Sequence, residues 1–256
     1  MSIIKKIKQV LYPLKKFFWD GEFLIRNHVT LKSGTTNAQN RFSWVEAKLK
    51  AIPQGHKILD AGAGELFFKK FCTHLNYVAQ DFAKYDGKGD NKGFQQGTWD
   101  QTKIDIVSDI TEIPAPAESF DAIMCIEVFE HIPKPLDALK EFSRLLKKGG
   151  RLIITAPFCS LTHFSPYFYH TGFSRYFYET HLAEYGFKIS ELTPSGNYFE
   201  YISQEIRRIP DMTQNYSSAR LRFWEKFILD LALGVTGRIS KKDKGSSDIL
   251  CDLYPI

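Results

Sequence analysis

The chain carries short apolar runs, each ending near an acid or a turn, separated by stretches with helical spacing. "KILDA" (57–61), "YVAQD" (77–81), "IDIVSD" (104–109), "FDAIMCI" (120–126), "RLIITAP" (151–157) and "FKISELT" (187–193) read as strands. Their near-continuous apolar content fits strands covered on both faces. Between them the period lengthens to that of a helix. A helix is expected through Phe67, Phe68 and Phe71, and another near 175–185. "PLDALKEFSRLLKKGG" (135–150) sets Leu136, Leu139, Phe142, Leu145 and Leu146 on one stripe and ends at Gly149-Gly150. Residues 82–103 are rich in Gly, Asp and Lys and read as loop. Strands alternating with helices predict an α/β fold: an open, doubly wound, mostly parallel sheet.

The flanks are different. Residues 1–31 read as helical with a break at Pro13, 32–40 as a loop, and 41–51 as helical again. Residues 197–237 read as helical, with Leu221, Trp224, Phe227, Ile228 and Leu231 as a stripe expected to be core. "GRISKKDKGSS" (237–247) is a charged loop, and "DILCDLYPI" closes as a strand. The organisation expected is a helical extension (1–52), a ligand-binding core (53–196), and a helical insertion with a closing strand (197–256) of the same domain.

Composition narrows the function. The 256 residues carry a net charge of +5, spread without a dense basic stripe, which argues against nucleic acid as a partner. Cys72, Cys125, Cys159 and Cys251 share no C-x-x-C spacing, so no zinc or thioredoxin motif is written, and a reduced, cytoplasmic setting is expected. No apolar run reaches the ~20 residues that span a bilayer. The first 20 residues place Ile3, Ile4, Ile7, Val10 and Leu11 at helical spacing among Lys5, Lys6 and Lys8. That pattern suits an amphipathic helix packed on the domain, or a weak contact with an anionic membrane surface.

"KILDAGAGELFFKKF" (57–71) has the form of a strand, a glycine turn and a helix start. The dinucleotide fingerprint G-x-G-x-x-G needs a third glycine. After Gly62 and Gly64 come Glu65, Leu66 and Phe67 instead, and Glu65 would repel a pyrophosphate. No Walker lysine is present. A zwitterionic, cationic ligand, S-adenosylmethionine, fits better. The turn at Gly62 and Gly64 brings backbone close, the helix start can receive a carboxylate, and nearby acids such as Asp60 can receive the ammonium. Asp81 can accept both ribose hydroxyls. Asp109 and the backbone N–H of Ile110 can bind the adenine edge. Each acid alone would also serve as a helix cap.

Taken together, residues 56–195 resemble the class I S-adenosylmethionine-dependent methyltransferases. The resemblance rests on "ILDAGAGE", "YVAQD", "YETHLAEYGFKI" and the long "DIVSDITEIPAPAESFDAIMCIEVFEHIPKPLDALKEFSRLLKKGGRLIITAP". It implies a seven-stranded sheet with a reversed last strand near 248–254, and a cofactor site lined by Glu127. Leu66 stands where the family commonly has its third glycine. "IEVFEHI" (126–132) also resembles the E-V-x-E-H string of ubiquinone-synthesis O-methyltransferases, in which Glu127, Glu130 and His131 would be metal ligands. The string recurs in methyltransferases without a metal, so no metal is assigned here.

The aromatic stretch "APFCSLTHFSPYFYHTGFSRYFYETHL" (156–182) follows the fifth strand, over the expected acceptor position. His163 and His170 are the candidate general bases, against the alternative that each is simply a satisfied, partly buried side chain. Arg175 either holds an acidic acceptor or pairs with Glu179. Asn197, Tyr198 and Glu200 are expected at the rim. The function expected is methyl transfer from S-adenosylmethionine to an oxygen of a small-molecule or sugar-like acceptor. Alternatives are a quinone or lipid precursor at a membrane surface, or an inactive cofactor-binding partner subunit. An NAD oxidoreductase fails on the missing glycine. The sequence sets neither the acceptor nor the oligomeric state.

Overall fold

The computed structural model describes residues 32–248 and the backbone of 253–255. The expectations for the helical extension before residue 32, including membrane contact through 1–20, lie outside the described residues, as does Cys251. Residues 39–195 with 253–255 form one compact unit, and 32–38 with 196–248 form another. No described helix is long and apolar enough to cross a membrane.

The larger unit opens with α1 (Asn37–Lys50) and is built on β1 (Lys57–Ala61), β2 (Asn76–Asp81), β3 (Ile106–Val107), β4 (Phe120–Ile126) and β5 (Leu146–Thr155). These strands form one sheet in the order β3-β2-β1-β4-β5, with every pairing parallel. Leu59 on central β1 lies opposite Val78 on one side and Ile123 on the other. Successive side chains of a strand face opposite ways, so β1 and β4 feed two cores. Leu59, Ile123 and Cys125 join Phe129, Leu139 and Phe142. Ile58, Ala122 and Met124 join Val45, Leu49 and Phe68.

The helix expected at 135–150 is α2 (Pro135–Leu145). Proline at its start has no N–H to waste, and Ala138, Leu139, Phe142 and Leu145 form its buried stripe. The helix stops five residues early. Leu146 turns extended, and "LKKGG" becomes the irregular first half of β5. The helix near 175–185 is α3 (Arg175–Glu184).

Three expectations are corrected. No α-helix follows the glycine turn. Leu66 takes a left-handed conformation (φ 62°), and only a 3-10 turn, Lys69–Phe71, forms. The aromatic run packs instead of winding: Phe67 and Phe68 meet Phe42 of α1 at 4.7 and 5.9 Å between ring centroids. A helix start is therefore not available to bind a ligand carboxylate there. The strand expected at 187–193 is reduced to β6 (Leu192–Pro194), and it does not join the parallel sheet. It pairs antiparallel with β7 (Leu253–Pro255), so the described residues give a five-stranded sheet and a separate two-stranded one in place of seven strands.

The smaller unit is helical: α4 (Tyr198–Tyr216) and α5 (Phe223–Ser240). Asn197 caps α4 by accepting the N–H groups of Phe199 and Glu200. Ser203 Oγ and Thr236 Oγ1 lie 2.7 Å apart where the helices meet. The stripe expected to be core is mostly not. Phe227 is buried, whereas Trp224, Ile228 and Leu231 are exposed, because α5 turns Phe227, Leu233 and Thr236 inward. The charged loop expected from 237 begins after Ser240, since α5 runs to that residue.

Candidate functional site

Ligands of open parallel sheets bind beyond the carboxyl ends of the strands. There, past β1, β2 and β4, a cleft of about 250 Å³ is lined by Gly62, Asp81, Asp109, Ile110, Glu127 and His131, with Gln80, Lys84 and an aromatic wall.

Asp81, the last residue of β2, is buried and organises the floor. Its carboxylate accepts the Gly64 N–H at 2.9 Å and the Ala83 N–H at 2.8 Å. The Gly62 N–H donates to the Gln80 carbonyl at 2.9 Å. Gly62 is left-handed (φ 78°), and a Cβ there would lie 2.6 Å from a Val128 methyl, so only glycine fits. Asp109 is exposed at the rim, where its carboxylate accepts the N–H and hydroxyl of Thr111.

Asp60 is placed elsewhere. It is 3% exposed, does not line the cleft, and accepts the Tyr77 hydroxyl at 2.5 Å. Burial pushes its carboxyl up to about 7, against the opposing hydrogen bond from Tyr77. A carboxyl this enclosed is spent on Tyr77 and does not line the cleft. Burial also pushes the Cys72 thiol up to about 12 and raises Cys125, so neither is a ready nucleophile.

Glu127 follows β4 in a left-handed conformation (φ 56°), uncommon for a side chain of this size. Its two oxygens are held apart: Oε1 accepts the Thr155 hydroxyl at 2.9 Å, and Oε2 pairs with Arg41 at 3.1 Å. Strain at a cleft residue held by two partners is a common mark of a functional position.

The aromatic wall comes from two loops that follow β2 and β5. Phe82, Tyr85 and Trp99 belong to the first, Phe164, Tyr167 and Tyr169 to the second. Backbone bonds join the loops: Phe94 N–H to the Thr162 carbonyl, Phe164 N–H to the Phe94 carbonyl, and Asp90 N–H to the Ser165 carbonyl. Gly89 permits the approach, since a Cβ there would overlap the Ser165 carbonyl oxygen at 1.8 Å. Trp99 meets Tyr85 and Phe164 edge-on at 4.9 and 5.3 Å between centroids. Its indole Nε1 is buried without a hydrogen-bond partner among the described residues. An unpaired buried donor in a cleft is costly in isolation, so it fits a polar ligand there.

His131 lines the same cleft. Its Nδ1 sits 2.6 Å from the Tyr167 carbonyl, which can only accept, so Nδ1 carries the hydrogen and the neutral ring leaves its lone pair on Nε2. That Nε2 is buried with no hydrogen-bond partner among the described residues. Burial, aided by the neighbouring His163, pulls the His131 imidazole down to about 4. His163 stands beside it, 4.7 Å between ring centroids, and approaches the buried Glu130. His170 is turned away: its Nε2 lies 3.1 Å from the Ile132 carbonyl, its ring packs near Phe173, and it does not line the cleft. Arg175 pairs with Glu179.

Sequence reading missed Gln80, Tyr85, Trp99 and Arg41. The available signal was the scatter of aromatics within the polar stretch 82–103.

Residues 59–154 match the model of a family described as a methyltransferase domain. The chain is 39% identical over 111 residues to a ubiquinone biosynthesis O-methyltransferase of Xylella fastidiosa (strain 9a5c), covering 41% of this chain and 44% of that protein. It is 30% identical over 118 residues to the protein of the same name from Xanthomonas axonopodis pv. citri (strain 306), covering 45% and 48%. The chain thus spans about half the length of the curated relatives it matches. Among solved structures, the [4+2]-cyclase SpnF superposes with a TM-score of 0.51 at 14% identity, over 84% of this chain and 78% of that one. That likeness is one of fold alone.

Proposed function

We propose that the core of this chain is a class I S-adenosylmethionine-dependent methyltransferase domain and that the protein methylates an oxygen of a small aromatic, quinone-like acceptor. The observation that carries this reading is the wall of Phe82, Tyr85, Trp99, Phe164, Tyr167 and Tyr169 around a cleft floored by acids and glycine. Aromatic walls with few polar groups suit a flat apolar ligand, and the named relatives act in ubiquinone biosynthesis. A sugar-like acceptor has less support, because it would bring many hydroxyls to a wall offering few partners.

S-adenosylmethionine, when bound, supplies an electrophilic methyl group on a sulfonium. The chain's own residues do the rest. Asp81 and Gln80 would hold the ribose of the cofactor, and Asp109 and the Ile110 N–H would bind its adenine. Glu127, paired with Arg41, would stand near the cationic centre. The joined loops exclude water and align the acceptor, which is the main need of an in-line displacement. His131 Nε2 would accept the hydrogen of the acceptor hydroxyl and take that proton as the oxygen–methyl bond forms and the methyl–sulfur bond breaks.

The test is a methylation assay with a panel of phenols, catechols and sugars, read by mass gain of one methyl and by S-adenosylhomocysteine. Methyl ethers of hydroxylated aromatics are expected. Methylation of sugars alone would overturn the acceptor class, and cofactor binding without any turnover would favour a non-catalytic subunit.

A further inference from the structure

Parallel neighbours in a sheet are usually joined through a helix. Residues 82–105, between β2 and β3, contain none. A loop this long without a backbone ladder of its own is usually functional, and something outside it must fix its shape. It carries Tyr85 and Trp99 of the cleft wall.

One side chain of the second loop does the fixing. Ser165 is 7% exposed. Its hydroxyl lies 2.5 Å from Asp90 Oδ1 and 2.5 Å from the Lys92 carbonyl, sharing its hydrogen between them. The same oxygen accepts from Gln95 Nε2 at 3.0 Å. The Ser165 carbonyl accepts the Asp90 N–H at 3.1 Å.

Gln95 carries the contact onward. Its Nε2 also donates to the Lys92 carbonyl at 2.6 Å, and its Oε1 accepts the Tyr85 hydroxyl at 2.6 Å. Tyr85 is buried, and its ring packs on Phe164, the neighbour of Ser165, at 4.9 Å between centroids. Ser165, Gln95 and Tyr85 thus close a circuit that starts where the loops meet and ends in the cleft. A polar circuit of this kind holds one geometry only while every member keeps its partner. Neither Ser165 nor Gln95 lines the cleft itself.

We infer that Ser165 and Gln95 are positioning residues for the acceptor: through Tyr85 they set the aromatic face against which a flat acceptor rests. This rests on the aromatic-acceptor reading above. A role in loop stability alone would move the thermal midpoint and leave the kinetics for the acceptor as they are.

The test compares the full chain with Ser165→Ala and Gln95→Leu. Trp99 emission is read first, without any ligand, as the difference between each protein and the same protein carrying Trp99→Phe. Trp99 meets Tyr85 and Phe164 edge-on, so a loosened wall admits water to the indole. Its emission should shift to the red and be quenched more by iodide in both variants. Kinetics follow, with a hydroxylated aromatic that the wild type methylates. The acceptor KM should rise about 10-fold or more with kcat little changed, the pattern of lost binding in a misplaced wall. Calorimetry should show unchanged affinity for S-adenosylmethionine. The double variant Ser165→Ala/Tyr85→Phe should be no worse than the worse single one, because both changes act through Gln95. Unchanged Trp99 emission in both variants, an unchanged acceptor KM, or additive losses in the double variant would overturn the assignment. Should the wild type methylate no aromatic, the acceptor reading fails, while Trp99 emission still decides whether Ser165 and Gln95 set the wall.

Discussion

The Asp81 carboxylate accepts the Gly64 N–H at 2.9 Å, tying the end of β2 to the glycine turn that follows β1. One buried carboxylate therefore shapes the turn and faces the cleft. Replacement by asparagine removes the charge and one acceptor oxygen. Asp81→Asn should weaken S-adenosylmethionine binding about 10–100-fold, the loss of one charge-assisted bond worth about 1.5–3 kcal/mol. Calorimetric titration of the variant checks this.

Gly62 meets Val128 so closely that any side chain must displace it. Gly62→Ala also places alanine at φ 78°, a left-handed conformation. A cost of about 1–3 kcal/mol is expected, read as a lower denaturation midpoint. The double variant Gly62→Ala/Val128→Ala should recover the steric part and leave the backbone part.

Asp60 gives a pH dependence of fixed sign. Its folded-state value of about 7 lies well above the usual carboxyl value, because burial disfavours the charge. The folded state then holds a proton that the unfolded state releases from about pH 4 upward. The stabilisation is present in full below that point and is lost as pH rises through about 7. Asp60→Asn keeps the shape without the titration. Denaturant midpoints from pH 4 to 8 should fall less steeply with rising pH in the variant than in the wild type.

Trp99 lines the cleft, and its buried indole N–H has no hydrogen-bond partner among the described residues. Trp99→Phe keeps an aromatic wall and removes the donor. Ligand affinity should fall about 5–10-fold, the value of one hydrogen bond of about 1–1.5 kcal/mol, with little change in thermal stability. Trp99 fluorescence should also respond to cofactor, measured as the difference between wild-type and Trp99→Phe titrations.

Much of this site was legible because a parallel sheet delivers its strand ends to one edge. Gly62, Asp81, Asp109 and Glu127 each follow an apolar run, and each lines the cleft. Asp60 follows the same rule and fails it, because it lies one residue before the end of β1 and its side chain is enclosed with Tyr77. The helix after the glycine turn was misread for a related reason: Phe67, Phe68 and Phe71 have helical spacing, yet they satisfy it by packing on Phe42. Trp99 and the pairing of Glu130 with His163 had no periodic signal. They depend on two loops meeting through backbone bonds, which no spacing along the chain records.

The central claim is that the cleft at the ends of β1, β2 and β4 binds S-adenosylmethionine. The most direct measurement is calorimetric titration of the purified protein with S-adenosylmethionine, with NAD as the control ligand. One-site, micromolar binding of the first and none of the second is expected. Binding of NAD, or no binding of S-adenosylmethionine, would contradict the account.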